Sequence, residues 1–287
     1  MKHTVLDYTR LVKFEHTIFA LPFALIGFFL AIEQNSGTIS FLLLLKVVGC
    51  MIFARNAAMG FNRYLDRSFD AANPRTAMRE IPAGIVSPKK ALLFVIVNAL
   101  FFVLTTLSIN SLCFYLSPIA LLVILGYSYT KRITPLCHFV LSAGLALAPI
   151  GAFLAVTGKF AIAPLLFSMV VFFWVSGFDI IYACQDVDFD RANKLNSVPA
   201  LTGIKRALQL SAFVHIIAAT FVIAAGIVLQ SGWIFWIGTA IFTGLLTYQH
   251  LIIKADNLSR INLAFGTTNG IASVIFAIFV ILSFFLN

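Results

Sequence analysis

An all-α, polytopic membrane protein is predicted by three observations. Of the 287 residues, 61% are hydrophobic and only 11% charged. The mean hydropathy is +0.99. The apolar residues gather into about nine stretches long enough to cross a bilayer, which needs about 20 mainly apolar residues per helix.

Taken in order, the stretches occupy residues 17–32, 41–61, 91–109, 112–127, 135–156, 161–181, 207–229, 233–253 and 263–285. The first follows a basic terminus bearing Lys2, Arg10 and Lys13. It resembles a signal peptide, but no small-x-small cleavage site closes it and further spans follow, so it counts as the first helix. The turn at 108–111 between the third and fourth stretches is very short, and Pro149 is placed to kink the fifth. No stretch reads as a soluble domain, and residues 1–287 are expected to form a single membrane domain.

Cations mark the orientation, because Lys and Arg are retained in short cytoplasmic loops. The second-to-third connection carries Arg63, Arg67, Arg75, Arg79, Lys89 and Lys90. Later even-to-odd connections carry Lys131, Arg132, Arg191, Lys194, Lys205, Arg206, Lys254 and Arg260, whereas the opposite loops hold little beyond Lys46 and Lys159. The expected topology has a cytoplasmic N-terminus in a bacterial inner membrane. The net charge of +9 follows from this bias and from attraction to anionic headgroups of the lipid bilayer, and no exposed basic domain exists to bind nucleic acid. Cys50, Cys113, Cys137 and Cys184 lie scattered without C-x-x-C spacing and read as small core hydrophobes.

Two acidic clusters break the apolar pattern: Asp66 with Asp70, and Asp186 with Asp190. Both are D-x-x-x-D elements at the cytoplasmic end of an even-numbered stretch, and each precedes a basic loop containing a proline, Pro82 or Pro199. The repetition predicts two pseudo-repeated halves around a central cavity. At about 100° per residue, Arg55, Asn62, Asp66 and Asp70 share one stripe, and Asp179, Tyr182, Asp186 and Asp190 share another. Asp188 falls on the other side and reads as solvated.

Facing stripes would gather four carboxylates, whose repulsion calls for intervening cations. Hard oxygen ligands at a water edge favour Mg²⁺, completed by phosphate oxygens. Arg67, Arg75, Arg79, Lys131 and Lys194 are then candidates to bind the oxygens of a diphosphate. The competing explanation pairs Asp66 with Arg63 or Arg67, and Asp190 with Arg191 or Lys194, as plain membrane-end salt bridges.

The run N-R-Y-L-D-R-S-F-D from Asn62 to Asp70, with Arg75, Thr76, Arg79, Pro82 and Gly84 after it, resembles the first signature of the UbiA superfamily of intramembrane prenyltransferases. The run D-I-I-Y-A-C-Q-D-V-D-F-D from Asp179 to Asp190 resembles the second, and Y-S-Y-T-K-R from Tyr127 to Arg132 matches a family connection. The resemblance implies transfer of a prenyl group from an allylic polyprenyl diphosphate to an aromatic acceptor, with Mg²⁺ held by Asp66, Asp70, Asp186 and Asp190. It assigns Asn62 to the first site, and Asp179 and Tyr182 to the second. Arg63 stands where many members have Asp.

Arg55 lies about two turns deeper than Asn62, where a guanidinium needs an anionic or strongly polar partner. It is expected to bind the carboxylate of an aromatic acid acceptor, with Asp179 as resting partner; a permanent Arg55–Asp179 pair is the structural alternative. The residues 11–24 resemble the UbiA-like, MqnP or 4-hydroxybenzoate polyprenyltransferase-type branch, implying 1,4-dihydroxy-6-naphthoate or 4-hydroxybenzoate as acceptor in menaquinone or ubiquinone synthesis. His16, His138, His215 and His250 read as ordinary hydrogen-bonding residues. A transporter of an anionic substrate is the alternative in another class, although transporters usually place ligands at the midplane on broken helices. The D-G-x-x-A-R run of CDP-alcohol phosphotransferases is missing.

Overall fold

The computed structural model describes residues 5–13, 19–35 and 37–286. Lys2, His16 and the expected start of the first span at residue 17 lie outside the described residues.

Helices form at every predicted apolar stretch. A short α1 (Val5–Leu11) precedes α2 (Leu21–Gln34), α3 (Phe41–Leu65) and α4 (Arg67–Ala72). Then come α5 (Pro88–Leu107), α6 (Ser111–Thr130), α7 (Cys137–Thr157) and α8 (Ile162–Ala183), followed by a 3₁₀ turn (Cys184–Asp186). The chain continues through α9 (Val187–Ala192), α10 (Val198–Thr202), α11 (Ile204–Val228) and α12 (Trp233–Ile252), and a π turn (Leu263–Thr268) opens α13 (Asn269–Phe285). Among the described residues the extended pairing is limited to an isolated bridge between Lys254 and Asn257.

Among the described residues, seven helices are long and apolar enough to span a membrane. Two of the nine expected spans fall short of that standard. Pro22 sits at the start of α2, where its fixed φ and missing N–H are tolerated, and the 14-residue helix is about 21 Å long. In α12, Tyr248, Gln249 and His250 dilute the hydropathy of its last turns, and Gln249 is buried against α13.

The very short 108–110 turn holds because Asn110 works twice. Its Oδ1 accepts from Cys113 N at 2.8 Å as the N-cap of α6, while its Nδ2 donates to Leu154 O at 2.9 Å. At the same end, Lys46 Nζ donates to Ser108 O at 2.6 Å. Pro149 is accommodated inside α7, whose helix runs unbroken to Thr157.

Packing is uneven. Phe23, Phe167, Trp174, Phe235, Phe242 and Phe276 fill one aromatic core between α2, α8, α12 and α13, whereas α3 buries only four side chains or glycines. The inner faces of α3, α6 and α7 border a cavity instead.

The crossing of α2 and α7 depends on Gly27, because a Cβ there would lie 1.9 Å from Pro149 O. Gly27→Ala should therefore destabilise the protein by about 1–3 kcal/mol, the usual cost of overpacking, read as a lower Tm in detergent. Gly151→Ala, whose Cβ would meet nothing within 4 Å, should leave Tm nearly unchanged.

Candidate active site

Both acid clusters arise from the same local design, a long helix followed directly by a short one. Asp66 terminates α3 and Asp70 lies one turn on in α4; Asp186 ends the 3₁₀ turn after α8 and Asp190 lies in α9. The pause between helices keeps the two acids of each cluster on one side. Asp188 is exposed, in agreement with its predicted phase.

Each of the four carboxylates meets a cation from elsewhere in the chain. Arg132 Nη2 donates to Asp66 Oδ1 at 2.7 Å, and Asn62 Nδ2 to Asp66 Oδ2 at 2.9 Å. Arg79 Nη1 donates to Asp70 Oδ1 at 2.6 Å. Arg75 grips Asp186 through both Nε, at 2.9 Å, and Nη2, and Asn73 Nδ2 adds a bond of 3.1 Å. Lys131 Nζ stands 2.7 Å from Asp190 Oδ1, while Ser197 Oγ donates to Asp190 Oδ2 at 2.8 Å.

These pairings cross the two clusters: Arg75 follows the first cluster yet binds the second, and the adjacent Lys131 and Arg132 reach one acid of each. The expected pairing of Asp66 with Arg63 or Arg67 does not form among the described residues; Arg63 instead lies 3.9 Å from Asp70. Side chains one residue apart on a helix do not face each other, which disfavours Asp66 with Arg67 and Asp190 with Arg191.

Two expected members are not brought in. Arg67 is exposed, stacks on the Tyr64 ring at 4.7 Å and donates to Tyr64 O. Lys194 is exposed at a positive φ of 54° in the turn after α9. Their places are taken by Arg132, which the sequence marks only as a loop cation, and by Arg63, which meets Asp70 and not the Asp66 that the sequence suggests. The useful clue was the K-R pair ending α6, where both residues could turn inward.

Arg55 and Asp179 also depart from expectation. Arg55 Nη2 donates to Lys13 O at 3.2 Å, and Asp179 takes His138, with Nδ1 2.7 Å from Oδ2. His138 is 3% exposed, and its Nε2 accepts from Val198 N–H. That bond places the ring proton on Nδ1, where it points to the carboxylate. A lone histidine in an apolar sequence carried no hint of this partner 41 residues away.

Burial lifts Asp66 above its ordinary carboxyl range even against the Arg132 charge, and Asp70 adds to the shift. At Arg75 burial pulls downward, but its bonds to Asp186 prevail and raise it. Burial and the nearby Arg63 charge push Arg79 down to about 10, which leaves it cationic at neutral pH.

All four acids line one end of a cavity of about 820 Å³, together with Arg55, Asn62, Asp179 and Tyr182. From there it descends between α3, α6, α7 and α8 past Met51, Leu116, Leu145 and Met169 to Ile109 and Phe160. Charge sits at one end and apolar side chains line the rest. An amphiphile with an anionic head and a long hydrocarbon tail matches this division.

The donor set also suits a hard cation. Asp70 Oδ2 is buried without a hydrogen-bond donor. Among the described residues no three acids, histidines or cysteines gather into a complete cage. Mg²⁺ fits such a set, because it uses one or two carboxylates and fills its octahedron with water and phosphate oxygens.

Residues 20–286 match the model of the UbiA prenyltransferase family. The 4-hydroxybenzoate octaprenyltransferase of Tolumonas auensis is 29% identical over 243 residues, 85% of each chain. The apo structure of a UbiA homologue from Aeropyrum pernix superposes with a TM-score of 0.83 at 30% identity, covering 93% of this chain and 98% of that one. A UbiA homologue from Archaeoglobus fulgidus, bound to GPP and Mg²⁺, has the same fold, with a TM-score of 0.71, 22% identity and coverage of 96% and 98%.

Removing one cation should expose the cost of the network. Lys131→Met leaves the fully buried Asp190 without its counter-ion and should cost about 3 kcal/mol, measured as a fall in Tm. Adding Asp190→Asn removes the stranded charge and should recover part of that loss.

Proposed function

The chain belongs to the UbiA prenyltransferase family, and on that premise we propose that it transfers a polyprenyl group from an allylic diphosphate to an aromatic acid for quinone synthesis. The observation that carries the proposal is the division of one cavity into a charged end, bearing both aspartate clusters and their cations, and a long apolar remainder. A transporter reading gains nothing from this arrangement, because the polar groups gather at one end and not at the midplane. Residues 1–287 then act as one membrane domain, in a bacterial inner membrane with the N-terminus and the charged end facing the cytoplasm.

In this reading Asp66, Asp70, Asp186 and Asp190 hold Mg²⁺, as the Mg²⁺ and GPP in the A. fulgidus homologue support. The metal would supply positive charge toward the diphosphate oxygens as the allylic bond weakens. Arg75, Arg79, Lys131 and Arg132, which neutralise the acids at rest, turn to the same oxygens when the donor enters. Asn62 orients Asp66, and Tyr182 orients Arg75 through the 3.1 Å bond to its hydroxyl.

The allylic C–O bond breaks with its electron pair going to the diphosphate. An electron-rich ring carbon of the acceptor bonds to the allylic carbon, and the ring loses a proton as it regains aromaticity. The apolar walls keep water from the cation while the tail lies between α3, α6 and α7. Arg55 lies deeper than Asn62 on α3 and meets the acceptor carboxylate, while Asp179, held by His138, faces the acceptor from α8. Both 4-hydroxybenzoate and 1,4-dihydroxy-6-naphthoate offer a carboxylate and a hydroxyl-activated ring; the octaprenyltransferase relatives support the first, and the resemblance of residues 11–24 supports the second.

Membranes containing the protein, given Mg²⁺, mixed polyprenyl diphosphates and either acid, should yield a prenylated acid by mass spectrometry. Chelation should abolish it, and Asp66→Ala or Asp186→Asn should lower kcat by about 10²-fold or more. Failure to make product with both acids would count against this acceptor class. Arg55→Gln should raise the acceptor KM about tenfold with the donor KM unchanged; an unchanged acceptor KM with reduced protein yield would assign Arg55 a structural role.

A further inference from the structure

Phe265 is placed by an irregular piece of backbone. It lies in the π turn Leu263–Thr268, a wide turn that helices adopt rarely and often at functional sites. The turn is held by Asn269, whose amide is fully used inside the bundle. Its Nδ2 donates to Ala264 O at 2.9 Å and Phe265 O at 3.1 Å; its Oδ1 accepts from Trp174 Nε1 at 2.9 Å and Gln249 Nε2 at 2.8 Å. Three helices, α8, α12 and α13, thereby fix one backbone irregularity.

That irregularity ends at the charged site. The Phe265 ring stacks on Tyr182 with centroids 4.1 Å apart and an interplanar angle of 29°, and Phe19 and Phe178 meet its edge or face at 5.5 and 5.4 Å. Phe265 lines the cavity beside Tyr182 and Asp186. The Tyr182 ring carries the Arg75 guanidinium 5.4 Å from its centroid, so this aromatic surface already receives a positive charge in the resting protein.

We propose that Phe265 is a positioning residue for prenyl transfer: fixed by the Asn269-held π turn, it backs Tyr182 and sets the aromatic wall that shields the allylic cation from water. This rests on the prenyltransferase reading above. The cation has two fates once its bond to diphosphate breaks. The acceptor ring carbon can take it and release a proton, or a water oxygen can take it and release a proton, leaving a prenyl alcohol. Shielding by the wall governs the ratio of these products, whereas a purely structural role for Phe265 would scale both together.

The test follows both products by mass spectrometry for the wild type, Phe265→Leu, Phe265→Tyr and Asn269→Asp, with Mg²⁺, a polyprenyl diphosphate and the acceptor that the wild type uses. Phe265→Leu should raise the ratio of prenyl alcohol to prenylated acid about tenfold at an unchanged donor KM, and Phe265→Tyr should restore it. Asn269→Asp keeps the acceptors for Trp174 and Gln249 but loses both donors to the π turn, and should shift the ratio in the same direction. Wild-type transfer with an unchanged ratio in Phe265→Leu overturns the role of Phe265 alone. A wild type that makes neither product in an Mg²⁺-dependent way overturns the prenyltransferase reading and this inference with it.

Discussion

Four carboxylates packed at a membrane boundary impose the condition that the surrounding structure answers. Each is costly to bury with its charge and costly to leave beside its neighbours. Asp190 is fully buried and Asp70 is 6% exposed, so solvent alone does not relieve them. The answer is a crossed network in which no acid depends on the cation next to it in sequence. Arg75 and Arg79 come from the loop after α4, Lys131 and Arg132 from the end of α6, and Ser197 from the start of α10. Closing the network therefore fixes the relative positions of all these segments.

The network extends into the loops. Thr76 Oγ1 donates to Asp70 O, Asn196 N–H donates to Lys131 O at 2.7 Å, and Val198 N–H meets His138 two residues later. The segment 196–198 thus touches the loop bearing Lys131, the acid Asp190 through Ser197, and the His138–Asp179 pair. Asp190 and the His138–Asp179 pair are therefore held by three consecutive residues of one backbone segment.

Sequence periodicity revealed most of the fold, because a spanning helix must be apolar along its length and the two acid motifs interrupt that pattern conspicuously. Among the described residues a helix appears at each of the nine stretches, including α2 and α12, which fall short of spanning criteria for reasons of length and of local polarity. Helical phase carries the acids, Asn62, Asp179 and Tyr182 to one side, Arg75, Arg79 and Lys131 stand out as surplus loop cations, and all of them line the one cavity. The pairing was not. Arg67 and Arg132 look equivalent as loop cations, and only the turn after α6 decides that Arg132 folds inward across Phe69 while Arg67 lies on Tyr64. His138 and Asp179 are joined by the α7–α8 packing, a tertiary relation that no local spacing encodes.

The uneven packing of the bundle gives this site a division of labour. The half built from α8, α11, α12 and α13 is filled with interlocked aromatic rings, and Gly177 admits His215 so closely that a Cβ would lie 2.2 Å from its ring. Close packing of that kind transmits position faithfully and resists deformation. The half built from α3, α5 and α6 leaves its inner faces to the cavity, where a flexible tail needs room more than fit. Chemistry demands the opposite at the charged end, since leaving-group stabilisation depends on donors held in place before the reaction begins. The second acid motif descends directly from α8, the most deeply packed helix, while the first hangs from α3, the least buried of the long ones. Arg75 ties the second to the loop of the first, so the rigid half lends its order to the looser one at the charged end of the cavity.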